Sequence, residues 1–242
     1  MSTSIIEPVA TRPGPPAAGI PPLESGDRLT LSEFERRYAA MPRQKKAELV
    51  EGVVYLPSPV RHDVHGNPHA DLLGWLVQYR AHTTGISVGD NSTVRLDLDN
   101  EFQPDALLMI ERARGGQARV GDDGYVEGAP ELVAEVAATS ASIDLNAKLH
   151  VYRRTKIREY IVWRTFDQAI DWFVLQESDF VRLQPDAGGL LRSAVFPGLW
   201  LDPAALLSSD MVTVLKRLHD GIATPEHAAF VAKLQATAGS AG

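Results

Sequence analysis

Two acidic side chains stand on runs that read as buried strands. Asp105 opens the apolar run of QPDALLMI, ahead of Ala106 to Ile110. Glu135 interrupts ELVAEVAA, whose spacing is apolar on both faces of any strand it forms. A carboxylate in such a place costs free energy unless a metal ion, a lysine or backbone donors meet it. Two of them on neighbouring strands can converge on one point, and carboxylate oxygens are the ligands that hard dications such as magnesium require. Lys148, in DLNAKLHVYRRTK, lies at the edge of a helical stripe made by Leu145, Leu149 and Tyr152. From there an ammonium can reach strand ends, acidify a metal-bound water or stabilise a phosphorane-like charge. The competing readings are structural: carboxylates paired only for the fold, and a lysine that lays its stem on the sheet with its ammonium in water. The tetrapeptide QPDA recurs at Gln184, but Asp186 there precedes Gly188 and Gly189 between two strand-like runs, which is the chemistry of a hairpin turn.

The elements that must carry these residues follow from periodicity. TLSEFERRYAA reads as a helix capped by Thr30 and answered by Glu33. AELVEGVVYL reads as a strand or tight hairpin with Val53, Val54 and Tyr55 supplying β-propensity. Leu72, Leu73, Leu76 and Tyr79 give a helix after Pro68, with Gly85 as its stop. TVRLDL, ALLMI and ELVAEVAA follow as strands, then a helix over Ile143 to Thr155 with Ser142 as N-cap. EYIVW, AIDWFVLQ and DFVRLQ are further strands. The fold class is therefore α/β or α+β, a mixed sheet flanked by helices. Residues 1–25 hold six of the 16 prolines and read as a disordered tail. The body spans 26–207, and 208–242 reads as a helical extension whose last helix starts at Thr224-Pro225-Glu226.

Composition sets outer limits. A chain of 242 residues, 44% hydrophobic, can bury a real core, and the absence of cysteine excludes disulfides and thiolate metal sites. No apolar run approaches the roughly 18 residues that span a bilayer, and no signal-like segment opens the chain, so a soluble cytoplasmic protein is expected. The net charge of −7 argues against coating nucleic acid with the whole surface. Locally the balance reverses: the segment 141–165 holds Lys148, Arg153, Arg154, Lys156, Arg158 and Arg164 against Asp144 and Glu159. Arg153, Arg154 and Lys156 are the candidate contacts for a polyanion, the alternative being a solvated helix face. His62, His65 and His69 form a rival cluster, His65 and His69 at the i, i+4 spacing of zinc helices. Gly66 and Pro68 lie between or beside them and oppose a continuous helix, and no third ligand is marked. Gly115-Gly116 and Gly188-Gly189 lack the phosphate-loop pattern, so no nucleotide cofactor is expected. Trp75, Trp163, Trp172 and Trp200 sit on apolar elements and read as core rather than base-stacking platforms.

Taken in order, ELVEG, PSPVRH, QPD, ELVAEV, a lysine-bearing helix with Tyr152, EYIVW and FPGLWLDPAAL form a set. That set resembles the Uma-two-type restriction-endonuclease family of the PD-(D/E)XK nuclease superfamily, over about Leu29 to Leu207. The resemblance implies a restriction-endonuclease-like core and a magnesium-dependent endonuclease acting on DNA, with manganese as a substitute ion. Asp105 takes the place of the PD aspartate, Glu135 of the next acid, Lys148 of the lysine and Glu48 of an upstream acid, for which Glu51 competes. The backbone carbonyl of Val136 would join Asp105 and Glu135 as a metal ligand. One departure stands out: Ala137 occupies the position where the superfamily signature has its lysine, so the ammonium must come from the helix. Cleavage of both strands with one site per chain implies a homodimer. The alternative is a nuclease-like fold without catalysis, binding nucleic acid or a protein partner.

Overall fold

Capping and turn chemistry place the first elements. In the computed structural model, which describes residues 19–41 and 46–239, Thr30 caps α1 (Leu31–Ala39) by accepting the Glu33 N–H. Most of the proline-rich segment, residues 1–18, lies outside the described residues. Of the remainder, Leu23 is buried with Phe34 and Val54, and the Gly26 N–H bonds the Val54 carbonyl. β1 (Glu48–Val50) and β2 (Val53–Tyr55) form the hairpin, joined by Glu51 and Gly52 with φ of 50° and 73°. Two positive φ values in a two-residue loop suit the right-handed twist of the strands.

A π-helical turn, His62–Gly66, runs directly into α2 (Asn67–Ala81). The expected break at Gly66 and Pro68 is absent, because Pro68 falls in the first turn of α2, where a missing N–H costs little. α2 stops at Ala81, capped by His82, before Gly85 is reached. Next come β3 (Ile86–Asp90), β4 (Val94–Asp97), β5 (Asn100–Phe102), β6 (Ala106–Ile110), β7 (Arg119–Val120), β8 (Val126–Glu127) and β9 (Leu132–Ala137). The crossover that follows is α3 (Ala141–Ile143), a π turn over Asp144–Lys148, and α4 (Leu149–Arg154). Ser142 lies inside this helix rather than capping it, and Ser140 holds the cap position without a side-chain bond. The chain ends with β10 (Glu159–Arg164), β11 (Ala169–Gln176), β12 (Asp179–Arg182), β13 (Leu191–Arg192), β14 (Trp200–Leu201), α5 (Pro203–Leu207), α6 (Met211–Ile222) and α7 (Pro225–Gly239).

The principal sheet has the order β12-β11-β10-β9-β6-β3, with β9 and β10 parallel and every other pair antiparallel. One face packs Leu132, Ala134 and Val136 of β9 against Leu72, Trp75 and Leu76 of α2 and against Val214, Leu218 and Leu234 of the last two helices. The C-terminal helices thus share the main core. The opposite face packs Val133 and Ala137 of β9 beneath Val151 and Tyr152 of α4, with Phe102 from the second sheet. That second sheet, β2-β1-β5-β4-β8-β7, is also mixed, since β4 and β8 run parallel. Asp186 makes the expected turn, its Oδ1 accepting the N–H groups of Gly188 and Leu190. Trp75, Trp163 and Trp172 are buried, while Trp200 is half-buried with the Arg192 guanidinium 3.8 Å above its ring. Among the described residues no helix is long and apolar enough to cross a membrane.

Candidate active site

Strand register brings the two acids together. β6 and β9 are antiparallel with Ala106 opposite Ala134, so one residue further Asp105 stands across from Glu135. Asp105 is fixed by its neighbour strand, Oδ2 accepting the Val136 N–H at 2.8 Å. Alternation along β9 turns Glu135 to the face of Val133 and Ala137, under the crossover helix. Both acids are buried, 3% and 4% exposed.

Lys148 is also buried, 5% exposed, so it does not snorkel to solvent. Its Nζ lies 2.8 Å from Glu135 Oε1, 2.9 Å from Glu48 Oε2 and 3.5 Å from Asp144 Oδ1. The Phe102 ring stands 5.8 Å from the ammonium and the Tyr152 hydroxyl donates to Glu135 Oε1 at 3.3 Å. Glu48 points inward from β1, its Oε1 accepting the Gln103 N–H at 2.9 Å, while Glu51 occupies the hairpin turn and is exposed. Ala137 is packed in the core, and the ammonium reaches Glu135 from the helix instead.

Three groups at the site were not legible as site residues. Asp144 was read only as a counter-charge, yet it is 1% exposed and neither oxygen has a hydrogen-bond partner. Its four-residue spacing to Lys148 was the available signal. Lys46, just before β1, places Nζ 3.4 Å from Asp105 Oδ1. His65, weighed as a zinc ligand, instead lies with Nδ1 2.9 Å from the Val136 carbonyl and Nε2 3.6 Å from Asp105 Oδ1. Because the carbonyl only accepts, Nδ1 carries the proton. His69 Nε2 meets the Asp105 carbonyl at 2.8 Å and Asp90 Oδ1 at 3.2 Å. His62 is exposed. The basic trio lies toward the other end of the crossover: Arg153 pairs with Asp179 at 2.7 Å, Arg154 with Asp97 at 2.9 Å, and Lys156 is exposed.

The cluster carries more acid than base. Glu48, Asp105, Glu135 and Asp144 face Lys46 and Lys148, four carboxylates against two ammonium groups. Burial pushes the Glu135 carboxyl up to about 8; Lys148 opposes the shift, and Asp144, Asp105 and Glu48 add to it. Burial also raises Asp144, against the pull of Lys148 and the nearby Ser140 hydroxyl. Burial alone would lower Lys148, but Glu135, Glu48 and Asp144 outweigh it and hold the ammonium charged. One ammonium cannot satisfy three buried carboxylates, so the surplus appears as proton affinity. A hard divalent cation suits this donor set in charge and in oxygen chemistry. As the side chains lie, no three acidic or histidine groups among the described residues are arranged to hold a metal ion; Glu135, Glu48 and Asp144 gather about the Lys148 ammonium instead.

A mixed sheet with a buried acid pair on adjacent central strands, covered by a crossover helix bearing a lysine, defines a restriction-endonuclease-like α+β protein. The chain belongs to the Uma2 family, described as "Putative restriction endonuclease", whose sequence model matches residues 31–204. Among solved structures it is similar to a "putative nuclease belonging to DUF820" from Anabaena variabilis ATCC 29413, with a TM-score of 0.56 and 14% identity over 74% of this chain and 98% of that one. At that identity the likeness is one of fold. No curated protein matches the chain.

Proposed function

We propose that the protein is a magnesium-dependent endonuclease that hydrolyses phosphodiester bonds in DNA, with manganese able to substitute. The observation that carries this reading is the cluster of four buried carboxylates with buried Lys148 and half-buried Lys46, in a chain of the Uma2 family. Asp105 and Glu135 would hold the ion, with the Val136 carbonyl as a further oxygen whose second lone pair is left beside His65. Bound magnesium supplies Lewis acidity toward a phosphate oxygen and a water of lowered pKa. Lys148 would keep a positive charge near the oxygen on which negative charge develops, in a site already shielded from water. Glu48, anchored by the Gln103 N–H, would orient the ammonium or an outer water. Arg153, Arg154 and Lys156 would contact the DNA backbone away from the reacting bond, and two copies of the chain would serve the two strands.

A second reading has its own support. Lys148 already neutralises part of the acid cluster, as in a structural ion-pair network, so the fold could bind nucleic acid or a protein without cutting. Nicking of supercoiled plasmid at low salt, with magnesium or manganese, separates the two. Wild-type protein should nick in a metal-dependent way, and Glu135→Ala should abolish it. No nicking, or equal nicking by both proteins, removes the catalytic reading.

A further inference from the structure

The lysine and the unsatisfied aspartate share one π turn, and their contacts are unequal. Lys148 Nζ leans on Glu135 at 2.8 Å and Glu48 at 2.9 Å, and stands further, 3.5 Å, from Asp144. Asp144 is 1% exposed and makes no side-chain hydrogen bond of good geometry, although a buried charged oxygen without one is costly. The backbone of the turn is anchored, since the Tyr160 hydroxyl donates to the Asp144 carbonyl at 3.2 Å. The long flexible stem of a lysine lets its ammonium move between neighbouring acids while that backbone stays in place.

We propose that Lys148 is the internal counter-ion of this site, which a divalent cation displaces from Glu135, and that Asp144 is the positioning residue that receives it. The inference rests on the metal-binding reading above. A dication arriving between Asp105 and Glu135 repels the ammonium and competes for Glu135 oxygen. Asp144 lowers the cost of that displacement, because the ammonium, now 3.5 Å away, can close on this buried carboxylate and remain paired. Cation affinity is then a competition: the lysine weakens it, and the aspartate restores it only by accepting the lysine.

The test is a double-mutant cycle on manganese affinity, measured by calorimetric titration of the full chain with MnCl2. Lys148→Met should bind manganese about tenfold more tightly than wild type, and Asp144→Asn about tenfold more weakly. In the Lys148→Met background, adding Asp144→Asn should change affinity by less than about twofold, since its partner has gone. Asp144→Glu should recover part of the loss. If Lys148→Met does not fold, the double variant, which removes one charge of each sign, should still bind more tightly than wild type. Affinity in Lys148→Met no higher than wild type overturns the counter-ion role. Equal weakening by Asp144→Asn in both backgrounds makes Asp144 an ordinary ligand and overturns the positioning role. Absence of manganese binding by wild type and Lys148→Met alike would overturn the metal reading itself and this inference with it.

Discussion

At the scale of single residues, the two ends of one ion pair should respond oppositely to removal. Glu135 is the acid that the cluster holds least comfortably: burial pushes it up to about 8, and three neighbouring carboxylates add to that. Glu135→Gln fixes this side chain in the uncharged form that its raised value already favours, while leaving Lys148 with Glu48 and Asp144. In the presence of EDTA this change should alter stability by less than about 1 kcal/mol, or raise it. Lys148→Met does the reverse, leaving three buried acids without their cation, and should cost about 3–5 kcal/mol. Urea denaturation of both variants checks the contrast. Equal destabilisation by the two changes would mean that the pair acts as an ordinary structural bridge. Their responses to metal should separate them again: if the ion binds as proposed, magnesium should raise the melting temperature of the wild type and leave that of Glu135→Gln unchanged.

At the scale of elements, a hairpin register decides which upstream acid reaches the site. Glu48 and Glu51 are three residues apart, and alternation alone puts them on opposite faces of a strand. The turn settles the matter, since Glu51 sits in the left-handed region with φ 50° and cannot continue β1. Glu51→Asn should therefore keep manganese affinity and gain about 0.5 kcal/mol, because Asn tolerates that conformation better. Glu48→Gln should weaken manganese binding or abolish nicking. Loss of both activities in Glu51→Asn would contradict this assignment. Asp105, Glu135 and the strands under them were legible in the sequence, because a carboxylate on an apolar run is a visible violation of pattern. Lys148 was legible as a candidate but not as a buried one: the helical stripe placed it at an edge, and the second sheet that closes over it has no local signature. Asp144 was visible only through its four-residue spacing to Lys148; the π turn that buries the pair leaves no mark of its own in a 3.6-residue period. The helical turn His62–Gly66, which leads into the helix expected after Pro68, was not legible for a similar reason, since it too is π-helical.

At the scale of the whole molecule, several buried carboxylates are displaced in one direction, and their sum predicts an unusual pH response. Burial pushes Glu159 up to about 7, against the pull of the Ser193 hydroxyl and the Ala194 and Val195 N–H groups. Burial and the neighbouring Glu35 raise Glu101 to about 7, with Arg95 opposing. Glu135, at about 8, completes the set. Each folded-state value lies above the ordinary value of an unfolded glutamate, so the folded protein binds more protons between the two. The stability they contribute is present at low pH and is lost as pH rises through 7 to 8. His227, which burial holds below its ordinary value, works in the opposite sense, but its contribution is lost only as pH falls below about 6.5. From pH 6.5 to 8.5 in EDTA, the unfolding free energy should therefore fall by on the order of 2–3 kcal/mol. Glu159→Gln, remote from the metal candidates, should remove part of that slope. Magnesium should counter the rest, because an ion that takes up the charge of Glu135 replaces its proton and binds more tightly as pH rises. Denaturation midpoints at pH 6.5, 7.5 and 8.5, with EDTA and with saturating magnesium, decide the point. A stability that does not fall over this range in EDTA would mean that these carboxylates are ionised in their pockets, and that the acid cluster needs no cation to relieve it.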